Sequence, residues 1–101
     1  MNQPTIATQL EITEFVRKNS EWVFVDSSLQ AKYIFTDFED AMHLITELVG
    51  MISELDHHPY WSNEYNKVTF ILRTHSCDNK VTSLDIALAT HISDLVKSKA
   101  G

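Results

Sequence analysis

The sequence predicts an α+β fold, a four-stranded antiparallel sheet with about three helices packed on one face. Three observations predict it. An apolar stripe recurs at steps of three and four from Phe38 to Leu55, the spacing of one helix face. Two pairs of short segments rich in aromatic and β-branched residues lie on either side of that stripe, each pair broken by polar residues that suit a turn. A second amphipathic pattern closes the chain, and strands with helices over one face bury both stripes.

The first element is a short helix over residues 8 to 18, with Leu10 and Phe15 as its expected buried positions. Glu21-Trp22-Val23-Phe24-Val25 and Ala31-Lys32-Tyr33-Ile34-Phe35 follow as a hairpin around the polar break Asp26-Ser27-Ser28. The stripe of the long helix comprises Phe38, Ala41, Met42, Ile45, Leu48, Val49, Ile52 and Leu55. Thr36 or Asp37 caps its start, and Glu39 and Asp40 complement the positive end of its dipole. It must end before Pro59, because the residue preceding a proline is pushed out of α geometry.

Tyr60 to Tyr65 and Val68 to Thr74 form the second strand pair, with Asn66-Lys67 as the turn because Asn tolerates a positive φ. In the later strand Val68, Phe70 and Leu72 share one face, and Thr69, Ile71, Arg73 and His75 the other. Ser76 to Val81 reads as a loop. The last helix spans about Ser83 to Lys97, with Leu84, Ala87, Leu88, His91, Ile92 and Leu95 as its stripe and Lys97 and Lys99 at its negative end. The order is helix, two strands, long helix, two strands, helix.

A chain of 101 residues is one domain's worth, so residues 1–101 are expected to form a single domain. With two glycines and two prolines, a long flexible linker is not expected. Met1-Asn2-Gln3-Pro4 has neither the basic nor the apolar region of a secretory leader. The run Leu48 to Ile52, interrupted by Gly50, is far too short to cross a bilayer. Cys77 is the only cysteine, which excludes an internal disulfide and suits a cytoplasmic, reducing setting. The net charge of -6 with no basic stretch argues against direct nucleic-acid binding.

Chemistry concentrates at Asp56-His57-His58-Pro59, where the long helix gives way to a strand. Histidine both gives and takes a proton near neutral pH, because its ordinary pKa lies there. Adjacent imidazoles in an extended turn point in different directions, and Pro59 stiffens that turn. An isolated turn of this kind is more often simply solvated. His75 ends the following strand, within reach of the turn across a short hairpin. Thr82-Ser83-Leu84-Asp85 matches a capping box, which by itself explains an acid at Asp85. His43 lies off the apolar stripe and reads as solvated, His91 as a core or interface residue, and Cys77 lacks a third group for nucleophilic work. His57, His58 and His75 with a carboxylate are donors that zinc accepts. Neighbours in sequence seldom converge on one ion, however, and neither His-x-x-x-His nor paired cysteines occur, so no metal is expected.

Taken together, Leu55 to Val68, Thr74-His75-Ser76-Cys77 and Leu84 to Ala89 resemble the signature of the pterin-4a-carbinolamine dehydratases. That pattern has a His-His-Pro turn, an aromatic a few residues on, a histidine ending the next strand and an aspartate opening the last helix. His57, His58, Pro59, Tyr65, His75 and Asp85 stand at those positions. Trp22 and the stretch Phe35 to Phe38 resemble the family's first half, so the likeness covers nearly the whole chain. The resemblance implies a four-stranded sheet with helices on one face, assembled as a homodimer or homotetramer. It implies dehydration of a 4a-hydroxytetrahydropterin to the quinonoid dihydropterin, in tetrahydropterin recycling, with no cofactor. It further implies His57, His58 and His75 as catalytic groups: His57 and His75 for proton transfer at the ring, His58 for the departing hydroxyl. Asp56, Asp85 and Trp61 are implied to contact substrate, Asp85 also orienting a histidine. Some family members dimerise with a transcription factor, which implies a protein partner as the alternative role. One departure stands out: an ionisable residue usually sits four positions before the first motif histidine, where this chain has Ser53. The neighbouring Glu54 is turned about 100° from it on a helix.

Overall fold

Strict alternation in one strand fixes which side of the sheet the helices cover. Val68, Phe70 and Leu72 are buried while Thr69 and Ile71 stay partly open, as a pleated strand with one packed face requires. The computed structural model describes residues 3–100; Met1 and Asn2, part of the stretch read for a leader, lie outside the described residues. Its elements are α1 (Gln9–Lys18), β1 (Trp22–Val25), β2 (Ser28–Ile34), α2 (Phe38–Leu55), β3 (Tyr60–Glu64), β4 (Lys67–Leu72) and α3 (Ser83–Ala100). A single 3-10 turn, His75–Cys77, lies between β4 and α3. The four strands form one antiparallel sheet in the order β1-β2-β4-β3, and the fold class and element order are those expected.

The packed face of the sheet is laid out in rows. Trp22, Ala31, Phe70 and Trp61 stand side by side across β1, β2, β4 and β3. Trp22 is fully buried, with Phe15, Tyr33 and Phe70 rings 6.1, 6.3 and 6.3 Å from its own. Ile12 and Phe15 of α1, Ala41, Leu44, Leu48 and Ile52 of α2, and Leu88, Ala89 and Ile92 of α3 close over this layer. Residues of the opposite face, among them Val23, Lys32, Ile34, Tyr60 and Glu64, are exposed. No helix among the described residues is long and apolar enough to cross a membrane.

Several local expectations are corrected. In α1, Phe15 is buried but Leu10 is 70% exposed, and Ile12 takes the inner place. Residues five apart lie roughly 140° apart on a helix, so Leu10 and Phe15 cannot share a face, whereas positions 12 and 15 do. The helix starts on a capping box that was not anticipated: Glu11 N–H donates to Thr8 Oγ1 and Thr8 N–H to Glu11 Oε1. The first hairpin turns on Asp26-Ser27 alone, both at positive φ, and Ser28 already pairs with Val25. Two successive positive φ values match the right-handed twist of the flanking strands.

The second hairpin turns on Tyr65-Asn66, one residue earlier than expected, with Glu64 opposite Lys67. Tyr65 carries the positive φ. Asn66 is engaged elsewhere: its Nδ2 donates to Phe35 O, and Phe35 N–H donates to Asn66 O. In α2, Leu44 joins the buried face while Phe38 and Val49 remain exposed, because the core-facing stripe is centred on positions 41, 44, 48 and 52.

In α3 the inner face is rotated from the apolar reading. It comprises Asp85, Leu88, Ala89, Ile92 and Ser93, with Leu84, Ala87, His91 and Leu95 half-buried beside it. Two polar residues therefore occupy core positions, and each is satisfied there. Ser93 Oγ accepts the Trp22 indole N–H at 2.9 Å, and the Tyr33 hydroxyl lies 3.4 Å away. Burial pushes the Tyr33 phenol above its ordinary value.

A Ser93→Ala chain is expected to lose about 1–3 kcal/mol, because a buried indole N–H is left without an acceptor. Urea unfolding measures this, and an unchanged midpoint would contradict the role given to Ser93.

Candidate active site

The histidine turn is built by the way α2 stops. Asp56 adopts a left-handed conformation, φ 50° and ψ 44°, which Asp tolerates better than most residues. The reversal lets Asp56 N–H bond to Ser53 O and His57 N–H bond to Ile52 O, the paired closing bonds of a Schellman cap. Pro59, just beyond, cannot continue the helix. His57 is thus held by backbone bonds before its side chain makes any contact.

That side chain points inward. His57 is 8% exposed, and its Nε2 lies 2.6 Å from Oδ1 of Asp85, which is fully buried. Asp85 comes from the first turn of α3 and Thr74 from the segment after β4. Oδ2 of Asp85 accepts the Thr74 hydroxyl at 2.8 Å and the Thr82 backbone N–H at 2.8 Å. The second of these is half of the capping box expected from the sequence. In the other half, the Thr82 hydroxyl accepts from Leu84 N–H at 3.2 Å instead of from Asp85. Burying a carboxylate without partners is prohibitive, whereas several donors on its two oxygens make it tolerable.

Beside this pair lies a cavity of about 540 Å³, within the range of small-molecule sites. Four parts of the chain wall it. The end of α2 contributes Glu54, Leu55, Asp56 and His57; the segment after β4 contributes Thr74 and Ser76; Leu84 comes from α3 and Pro4 from the N-terminal segment. That N-terminal segment is tied down by an antiparallel bridge between Ile6 and Thr82 and by the bond Ser83 N–H to Thr5 O.

The residues singled out from the sequence are distributed as follows. His57 and Asp85 are in direct contact, and His57 and Asp56 line the cavity. His58 is exposed beside them and lies outside its lining. His75 is exposed at the start of the 3-10 turn, flanked in sequence by the cavity residues Thr74 and Ser76. Its Nδ1–H donates to Asn79 Oδ1 at 3.2 Å. Trp61 is half-buried on β3, opposite Phe70, and packs on the core. Among the described residues no three His, Cys, Asp or Glu side chains gather to hold a metal ion.

Sequence reasoning missed Glu54, Pro4 and Thr74 as site residues and read Thr82 only as a helix cap. Glu54 was set aside on its helical angle relative to position 53. The cavity sits at the C-terminal end of α2, however, so residues of the last turn reach it. Pro4 carried no local signal. Thr74 reaches Asp85 only through the fold, whereas Thr82 meets it locally as the cap of α3.

The site thus sets a histidine, hydrogen-bonded to a buried carboxylate, at the wall of a cavity on an α+β frame. Comparison with known proteins names the family. The family model described as pterin 4 alpha carbinolamine dehydratase matches residues 5–95. The chain is 36% identical over 86 residues to an Opitutus terrae protein named "Putative pterin-4-alpha-carbinolamine dehydratase", covering 85% of this chain and 89% of that one. A Brucella ovis protein of the same name is 38% identical over 84 residues, covering 81% and 86%. The crystal structure of a transcriptional coactivator/pterin dehydratase from Brucella melitensis superposes with a TM-score of 0.83 at 34% identity, covering 90% of this chain and 98% of that one. The chain belongs to the pterin-4a-carbinolamine dehydratase family.

Asp85→Asn is expected to destabilise the chain by about 3 kcal/mol, since it breaks a buried pair and leaves donors facing a weaker acceptor. Thermal or urea unfolding of the two proteins checks this; equal stability would show that the pair is not structural.

Proposed function

We propose that this chain dehydrates 4a-hydroxytetrahydropterin to quinonoid dihydropterin and water by histidine acid–base catalysis, in tetrahydropterin recycling. One observation carries the reading: His57, 8% exposed and fixed by Asp85, forms part of the cavity wall. Family membership supplies the substrate class.

The chemistry needs little beyond positioned protons. The bond from C4a to its hydroxyl breaks as a proton is delivered to that oxygen, and water leaves. The lone pair of the adjacent ring nitrogen fills the vacated position, and that nitrogen gives up its own proton. One imidazolium and one imidazole meet these demands, with no metal or organic cofactor. His57 and His75 serve the ring protons, and His58 serves the departing hydroxyl. Positioned groups of this kind contribute roughly 10² to 10⁴-fold each.

Binding follows from the wall. The pyrimidine edge of a pterin presents N–H donors, and Asp56 on the cavity wall is a carboxylate acceptor for them. Glu54, on the same wall, is a second. Trp61 on β3 is the aromatic this reading gives to substrate contact, and Asp85 acts on substrate through His57. Exposed Phe38 and Val49 on α2 leave apolar surface for a homodimer or homotetramer. The lone Cys77 suits the cytoplasm.

A second reading, a protein-binding dimerisation or coactivator module with little dehydratase activity, draws on the Brucella melitensis relative, whose description couples the two roles. The two readings part in one assay on freshly generated 4a-hydroxytetrahydropterin. Wild type is expected to accelerate dehydration clearly, and His58→Ala to lose roughly tenfold or more. Wild type indistinguishable from buffer would leave the binding-module reading.

A further inference from the structure

The hydrogen bonds behind Asp85 admit only one arrangement of protons. Leu84 N–H donates to Thr82 Oγ1 at 3.2 Å, and a backbone N–H has no other role. At the other end Asp85 Oδ2 lies 2.8 Å from Thr74 Oγ1, and a carboxylate oxygen only accepts. Between them Thr82 Oγ1 and Thr74 Oγ1 are 2.6 Å apart, whereas Thr82 Oγ1 lies 3.5 Å from Asp85 Oδ2, too long to compete for its proton. Each hydroxyl owns a single proton. Thr74 must spend its proton on Asp85, because two oxygens at 2.8 Å with none between them repel. The bond between the threonines is therefore supplied by Thr82. The order is Leu84 N–H to Thr82, Thr82 O–H to Thr74, Thr74 O–H to Asp85.

This order has a consequence at the cavity. With its Oδ2 filled by Thr74 and the Thr82 N–H, Asp85 presents Oδ1 to His57 as an acceptor at 2.6 Å. The imidazole meets it with Nε2–H, and its remaining nitrogen, Nδ1, carries the lone pair. The row of hydroxyls ends on an amide that cannot accept, so it holds Asp85 in place without carrying its proton away. All three side chains are sealed: Thr74 is 3% exposed, and Thr82 and Asp85 are fully buried. The segment bearing Thr82 is pinned from outside by Ala7 N–H to Val81 O at 3.0 Å and Ser83 N–H to Thr5 O at 2.8 Å.

We propose that Thr74 and Thr82 are positioning residues that hold Asp85 as a pure acceptor and thereby fix His57 as the Nε2–H tautomer, with Nδ1 as the atom that exchanges protons with substrate. Its kinetic consequence rests on the dehydratase reading; its tautomeric consequence does not. A hydrogen-bond partner that fixes the orientation and tautomer of an imidazole typically carries about 10 to 100-fold of activity.

The test is ¹⁵N-histidine NMR at mildly alkaline pH together with steady-state dehydration kinetics, on wild type, Thr74→Val and Thr74→Ser. Wild type is expected to show His57 protonated on Nε2 alone. Thr74→Val is expected to mix the two tautomers and to lower kcat about tenfold with KM within about twofold, and Thr74→Ser to restore both readouts. Should Thr74→Val not fold, Thr82→Val removes only a hydroxyl and keeps the backbone bond to Asp85, so it serves the same comparison. His57 protonated on Nδ1 in wild type overturns the inference, as does a valine variant with unchanged tautomer or unchanged kcat in an active enzyme. An inactive wild type whose tautomer still responds to Thr74→Val supports the positioning and sinks the dehydratase reading instead.

Discussion

A carboxylate with no exposed surface governs this structure. Asp85 lies at a core position of α3, where an unpaired charge would cost several kcal/mol. It is tolerated because donors from three places in the chain converge on it: the His57 imidazole from the cap of α2, the Thr74 hydroxyl beyond β4, and the Thr82 amide at the start of α3. Satisfying one charge thus ties together three of the four segments that wall the cavity. The same contacts that stabilise the fold orient the imidazole at the cavity wall.

The surrounding architecture serves this convergence. α2 must end where it does for His57 to reach Asp85, and the left-handed Asp56 with Pro59 beyond it ends the helix sharply. The bond from His57 N–H back to Ile52 O fixes the backbone of the turn. About two turns further along the same face of α3, Ser93 repeats the logic in neutral form by satisfying the Trp22 indole within the aromatic cluster. Helix α3 is accordingly docked by two polar contacts as well as by Leu88, Ala89 and Ile92. Apolar area supplies most of the driving force, while the polar contacts select one rotation of the helix.

Sequence patterns disclosed what is local and periodic. The stripe of α2, the alternation of β4 and the stop before Pro59 each follow from one element's own geometry, and each was legible. The rotation of α3 was not, because a reading by hydrophobicity assigns Asp85 and Ser93 to the outside, and only partners distant in sequence justify them inside. The turns shifted by a residue for a similar reason: Asn66 suits a positive φ, yet its side chain is taken by Phe35. At the site, His57 and Asp85 stood out through the spacing of a whole family motif. Thr82 was legible only as a helix cap, and Thr74 and Pro4 had no such spacing to announce them. Their places depend on β4 ending beside α3 and on the N-terminal segment pairing with residues 81–83.

The contrast in burial among the histidines bears on mechanism. His57 is held from both backbone and side chain, while His58 and His75 are exposed. One fixed imidazole beside two more open ones is the contrast on which the proposed proton transfers rely. The most direct measurement of the central interaction is a double-mutant cycle on unfolding free energy, with His57→Gln, Asp85→Asn and the double variant. Contact between the two side chains as described predicts a coupling of about 1 kcal/mol or more, whereas effects that add to within about 0.3 kcal/mol would contradict it.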